Sequence, residues 1–470
     1  MRRLIILKTA IFVGSLSFGH ALLAEEAKKE KVDPLKEALA SAYLTNSTLR
    51  AKLHGQYAID ESVNQAFSKF RPQVAASGSV GKNSSKSKVP GRLPSTSNLD
   101  PESLSVQVSQ SLYHGGSDLA GLRAAEAAAK AGQYDLLNTE QDTLLRAVSA
   151  YLEVIFQKAS VKSKESNVDY LTKQLKGIKA QVEVGEKTPT ETAAAESALA
   201  QGMAELVKSQ GDLQNARANY LNVIGKEPDL LEFPKPLMDL PASLDEVKQK
   251  SLKTNPAILN AEFVAKQAGI AIDAANGALL PSLDLTGTAS RAFNQNVNKD
   301  ISSQANATLK LSVPIYQSGA EYSKIREQTD KSVSASHQLD QARKTVVENA
   351  TKAWEGLITS RQRITSFEKQ VEAAKKARDG ALLESDVGER SYTEVIQFQQ
   401  KVLEADIALE DARRNEILAQ YQLYAVEGRL TADYLALPVT LYDVQGHLDE
   451  VSYKMIGFGN SSQDTNGKNE

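Results

Sequence analysis

The sequence predicts a mainly α-helical chain that also supplies four β-strands to a small membrane barrel. Three copies together would close a long antiparallel coiled-coil tube and a twelve-stranded β-barrel. Three observations carry this. The chain repeats itself, its prolines spare two long stretches, and within each copy the hydrophobic period drops from 3.6 to 2.

The repeat is explicit. Val184-Gly185-Glu186-Lys187-Thr188-Pro189-Thr190-Glu191 returns 203 residues later as Val387-Gly388-Glu389-Arg390-Ser391-Tyr392-Thr393-Glu394. The same offset pairs Tyr113 with Tyr316, Arg123 with Arg326 and Gly225 with Gly428. Upstream the offset is 209, pairing Asn46 with Asn255 and Pro72 with Pro281, so copy one carries six extra residues between about 80 and 105. Such an indel marks an exposed loop. The chain is expected to divide into an export signal at 1–24, a first repeat at 25–243, a second at 244–431, a segment outside the long helices at 432–458 and a polar, disordered tail at 459–470.

The expected signal comprises Met1-Arg2-Arg3, a mostly apolar run over 4–18 and small residues that offer cleavage after Ala24 or, as the alternative, Ala21. Beyond it no run of about 18 apolar residues occurs, so no conventional membrane helix follows. A helix is expected over 48–70, ending before Pro72. Strands follow at 74–80 and 104–112, with Leu104, Val106, Val108 and Leu112 on one face and Ser105, Gln107, Ser109 and Ser111 on the other. None of the 14 prolines lies between Pro101 and Pro189 or between Pro314 and Pro438. An interior proline costs about 3 kcal/mol, so these gaps are where unbroken helices fit. The first, over 117–184, carries Leu144, Val148, Tyr151 and Ile155 at coiled-coil spacing. At about 1.5 Å per residue it reaches roughly 100 Å. A return helix over 190–224 stops at Gly225 and is half as long; the 48–70 helix stacked on its end supplies the missing length. Copy two repeats the plan with helices at 256–279, 320–386 and 391–430 and strands at 283–289 and 305–313.

An apolar face opposite a Ser, Thr, Asn and Gln face fits either a half-buried sheet or a barrel with lipid outside and water inside. Export and the lack of other core-forming elements favour the barrel. Tyr113 and Tyr316, ending equivalent strands, then suit an interfacial aromatic belt. Lipid tolerates no open sheet edge, and four strands enclose no lumen, so cyclic assembly of three chains is expected. Polar, turn-rich loops at 81–101 and 293–303 join each strand pair.

A net charge of −3 argues against nucleic acid, which calls for a basic surface. Cys is absent, which excludes disulfides, and the five scattered histidines offer no zinc spacing. No cofactor or metal is expected, and no arrangement of nucleophile and base marks an enzyme.

The export signal, the duplicated unit of two strands and a long helix, and the paired Val-Gly-x-x-x-x-Thr-acid motif together resemble the TolC family of outer-membrane efflux proteins over about residues 35–432. The resemblance implies a homotrimeric channel in outer-membrane lipid, continued as a helical barrel into the periplasm. A periplasmic adaptor (membrane fusion protein) and an inner-membrane transporter would deliver small molecules or proteins to it, as in drug efflux or type I secretion. It also implies a belt around the tube formed by 226–250 and 432–458.

In that family two acidic positions one helical turn apart ring the closed pore. Here the first falls on Glu394 and the second on the uncharged Gln397. Three Glu394 carboxylates brought together would repel anions and attract cations. Whether Glu186 or Glu389 adds a second ring is open from sequence. The family's entrance latch maps onto Arg390 of the second hairpin and Glu191 and Thr190 of the first. Ser385 stands at the latch tyrosine's position, leaving Arg390 and Glu191 to carry the contact. Val184, Gly185, Val387 and Gly388 fall where the adaptor docks. The plainer account of these residues is solvated helix ends with i,i+4 pairs and glycine C-caps. An alternative architecture, a trimeric coiled-coil stalk or adhesin that conducts nothing, calls for one continuous heptad array rather than a duplication with two strand pairs.

Overall fold

A computed structural model describes residues 33–457 except 230 and 298, so the export signal expected at 1–24 and the tail expected at 459–470 lie outside the described residues. The first repeat runs α1 (Pro34–Thr45), α2 (Ser47–Phe67), β1 (Gln73–Val80), β2 (Asn83–Ser87), β3 (Ser95–Leu99), β4 (Glu102–His114), α3 (Ser117–Glu183) and α4 (Pro189–Ile224). The second runs α5 (Leu244–Thr254), α6 (Pro256–Gly277), β5 (Ser282–Phe293), β6 (Ile301–Ser312), α7 (Ala320–Asp386) and α8 (Tyr392–Val426), and α9 (Val444–Ser452) follows. Among the described residues no helix is long and apolar enough to cross a membrane.

The two long helices are each 67 residues. Beside them, each copy splices a short helix onto the end of a returning one. Asn46 caps α2 through its side-chain oxygen, which accepts from the Thr48 and Leu49 amides at 3.0 and 3.2 Å. Its side-chain nitrogen donates to the Val223 carbonyl at the end of α4 (3.4 Å). Thr45 donates to the Ile224 carbonyl at 3.1 Å. The repeat-mates do the same: Asn255 donates to Val426 (2.8 Å) and Thr254 to Glu427 (2.6 Å). Carbonyls that a helix end would leave unpaired are thus satisfied by the cap of the next helix. Gly225 and Gly428 leave each rod with φ of +81° and +75°, and they are crowded by Thr45 at the end of α1 and by Thr254 and Pro256 at the α5–α6 junction, respectively.

The four main strands form one antiparallel sheet in the order β1-β4-β5-β6, leaving β1 and β6 as its edges. Register pairs Val108 with Gly287, Val106 with Ala289, Leu285 with Leu309 and Leu283 with Leu311 on one face. Ser105 with Ser290, Gln107 with Thr288, and Thr288 with Asn306 occupy the other. Serine hydroxyls ladder across the polar face, Ser77 to Ser105 and Ser79 to Ser103, each at 2.8 Å. A bulge between Ser111 and Tyr113 sets Tyr113 opposite Leu283 and leaves Leu112 as the extra residue, so the tyrosine joins the apolar row. Tyr316 lies beyond the end of β6, in the turn before α7, and does not end a strand.

Several elements differ from the sequence expectation. The first polar loop contains the β2–β3 hairpin, with Ser84 donating to Asn98 (2.7 Å); Leu99 is the one apolar residue of its two strands, so no apolar alternation announces it. Helices α1, α5 and α9 are additional, and α2, α6 and α8 end earlier than expected.

The main core lies where α1, the C-terminal ends of α4 and α8, and the 430–437 segment meet the middle of α3; Leu35, Leu144, Tyr151, Ile224, Ile417 and Leu430 are fully enclosed there. The connections between α4 and α5 and between α8 and α9 both pack on this region. The Tyr151 hydroxyl donates to the Glu232 carbonyl at 2.8 Å, and the Leu237 amide donates to Gln420 at 2.7 Å. The Ala432 amide donates to the Glu140 carboxylate at 2.6 Å. Glu140 is 7% exposed, and burial pushes its carboxyl up to about 7 from an ordinary value of 4.5. Between those values the folded chain keeps a proton that the unfolded chain has lost, so stability falls as pH rises through the window and stays reduced above it. Glu140→Gln keeps an acceptor for Ala432 and is expected to raise the thermal midpoint at pH 8 while changing it little at pH 5. At most about 3 kcal/mol is involved. Identical melting curves at pH 8 would mean that the carboxylate ionises there without cost.

Candidate functional site

The repeated motif forms two hairpin tips, roughly 100 Å of helix away from the sheet. Each long helix ends on glycine in the left-handed region, Gly185 at φ +80° and Gly388 at φ +81°. The Glu186 amide donates to the Gln181 carbonyl and the Glu389 amide to Glu384, both at 2.9 Å. That bond across five residues closes the helix end and turns the chain back. Val184 and Val387, just before the glycines, are 71% and 72% exposed.

Helix α4 begins with a capping box. The Glu191 amide donates to the Thr188 hydroxyl (3.4 Å), the Thr188 amide donates back to the Glu191 carboxylate (2.9 Å), and Pro189 occupies the first turn. The Thr188 backbone N–H is the main cause holding the Glu191 carboxyl below its ordinary range. Helix α8 starts differently, with the Ser391 hydroxyl donating to Glu394 at 3.4 Å.

The expected pairing of Arg390 with Glu191 is absent within the chain. Arg390 donates to Glu384 (2.6 Å) and to Glu394 (3.0 Å) and lies over the Phe398 ring. Glu191 is instead engaged by Thr188 and lies 3.5 Å from Lys187. The physical reason is proximity: Glu384 and Glu394 flank Arg390 on its own hairpin, one before and one after the turn. Thr190 is exposed, as is Gln397, one turn along α8 from the half-exposed Glu394. Ser385 is buried and accepts from Lys187 through its carbonyl oxygen (2.9 Å) and hydroxyl (3.4 Å). Sequence reasoning passed over Lys187, although the offset of 203 makes it the repeat-mate of Arg390.

Behind the tips the two hairpins pack together. Tyr392, 3% exposed, joins Ile178, Ala195, Ala381 and Val395 in one apolar cluster drawn from all four helices. Further along, Gln399 donates to Asn167 at 2.8 Å and Arg378 lies over Tyr170. Arg414 donates to Glu153 at 2.6 Å and covers Phe156.

Helical rods ending in paired tips, joined at the other end to a sheet with one apolar face and two unpaired edges, define the wall segment of an outer-membrane channel. The chain belongs to the outer membrane efflux protein family, whose model matches residues 38–226 and 247–431. It is an efflux channel protein of the outer membrane and not an enzyme. It is 29% identical to the outer membrane efflux protein BepC of Brucella suis biovar 1 over 445 residues, 94% of each chain. It is 24% identical to the outer membrane protein TolC of Escherichia coli over 446 residues, 91% of this chain and 87% of that relative. Among solved structures, the CmeC outer membrane channel of Campylobacter jejuni matches its fold with a TM-score of 0.77 at 17% identity, covering 89% of both chains.

Proposed function

We propose that three copies of this chain close a continuous duct that carries small molecules or proteins across the outer membrane. An inner-membrane transporter and a periplasmic adaptor would supply it from below. The observation that carries this reading is the sheet with two open edges and an exposed apolar face. Backbone groups on such edges need partners in lipid, and β6 of one copy beside β1 of the next supplies them while the Ser and Thr face lines water.

The tips form the entrance. Glu394 and Gln397 face the constriction, so each copy contributes one carboxylate and one neutral amide. The exposed Val184 and Val387, each carried on a glycine turn, offer the adaptor a repeated apolar foothold. Purified chain in detergent is expected to run as a stable trimer and to form pores in planar bilayers. A well-folded, non-conducting monomer would exclude the duct and leave a structural surface protein. Within conducting trimers, Glu394→Gln is expected to weaken block by multivalent cations added on the tip side; block of unchanged strength removes Glu394 from the constriction.

A further inference from the structure

We propose that Lys187, rather than Arg390, ties the two hairpin tips together and holds the entrance closed. This rests on the duct reading above and assigns the closing contact within it.

The repeat shows how the two cations came to differ. Lys187 and Arg390 hold the same repeat position, and each approaches the acid four residues on: Lys187 lies 3.5 Å from Glu191 and Arg390 lies 3.0 Å from Glu394. Their second partners diverge. Arg390 turns back to Glu384 on its own hairpin at 2.6 Å. The repeat-mate of Glu384 is Gln181, which offers no negative charge. Lys187 therefore crosses to the other hairpin and donates to the Ser385 carbonyl at 2.9 Å, a contact between residues 198 apart in sequence.

That acceptor suits an ammonium. Ser385 sits in the last turn of α7, at the negative end of the helix dipole, where carbonyls lack the usual intrahelical partner. The Ser385 carbonyl also receives the Gly388 amide at 3.2 Å, so the lysine bond rests on the turn itself. A lysine head group with three donors can hold the carbonyl, the Ser385 hydroxyl and the Glu191 carboxylate together. Although it stands at a hairpin tip, the Lys187 side chain is only 12% exposed. Any movement that draws the second hairpin away from the first must break this bond, whereas the Arg390 bonds travel with their own hairpin.

The test compares Lys187→Met, Lys187→Arg and Arg390→Ala with the unaltered full-length chain in planar bilayers, using detergent-resistant trimer as the folding control. Lys187→Met keeps the side-chain length but removes the donor. It is expected to raise open probability about tenfold, equivalent to about 1.4 kcal/mol. Lys187→Arg restores a donor and is expected to return the channel toward its closed behaviour. Trimeric Lys187→Met with unaltered gating overturns the tie, as does opening produced by Arg390→Ala alone. If the unaltered chain forms no pore, the duct reading fails and the tie fails with it; if it conducts and Lys187→Met matches it, only the tie fails.

Discussion

Replacing Gly428 with alanine is expected to destabilise the folded chain by about 3 kcal/mol or more, whereas alanine at Gly388 costs only about 1–2 kcal/mol. Both glycines are in the left-handed region, at φ +75° and +81°, so the intrinsic penalty is shared. Their surroundings differ. A methyl group on Gly388 would meet nothing within 4 Å, but one on Gly428 would fall on the Thr254 carbonyl, well inside contact distance, and 3.3 Å from Pro256. That backbone cannot easily retreat, because Thr254 and Asn255 hold the end of α8 at 2.6 and 2.8 Å. Gly225 lies between these cases: its obstacle is the Thr45 hydroxyl, a side chain that can rotate at the cost of its bond to Ile224. Denaturant or thermal unfolding of the solubilised protein orders the three variants. Equal losses at 428 and 388 would mean that the splice is looser than its hydrogen bonds indicate.

Ala307→Lys is expected to abolish stable insertion, while Asn306→Lys leaves it intact. The two residues are neighbours at the middle of β6, paired respectively with Gly287 and Thr288, so their side chains point to opposite faces. A lysine facing lipid near the bilayer midplane costs about 2–4 kcal/mol, and the proposed assembly would bear that cost in each of its three chains. A lysine at 306 joins a polar face that already carries Lys310 and Thr308. Detergent-resistant trimer in the outer-membrane fraction reports both outcomes. Equal tolerance would place neither face against hydrocarbon.

How much of this was legible in the sequence depended on the range of the signal. The proline-free stretches and the strand alternation are local signals that the repeat shows twice, and the long helices and main strands follow from them. Helices α1 and α5 were not foreseen, though Asn46 and Asn255 were already paired by the repeat; capping residues that stand between two helices look like ordinary loop residues until both neighbours are placed. The β2–β3 hairpin lacked an apolar alternation to betray it. At the tips, the glycine turns follow from the motif alone. The partners of Arg390 and Lys187 do not, because an acid on the same hairpin and a carbonyl on the other compete in space, and only the lack of an acid at Gln181 hinted at the result.

The end-to-end splices also bear on the order of events during folding. Thr45 meets Ile224 across 179 residues, and Thr254 meets Glu427 across 173, while the tip turns join segments only a few residues apart. Chain closure over short separations is entropically cheaper, so the hairpins are placed to zip from their tips and to carry the splice partners together at the finish. A contact completed after the rate-limiting step changes the rate of coming apart rather than the rate of formation. The Gly428 variant should therefore betray itself in stopped-flow traces as a faster unfolding limb beside an unaltered refolding limb.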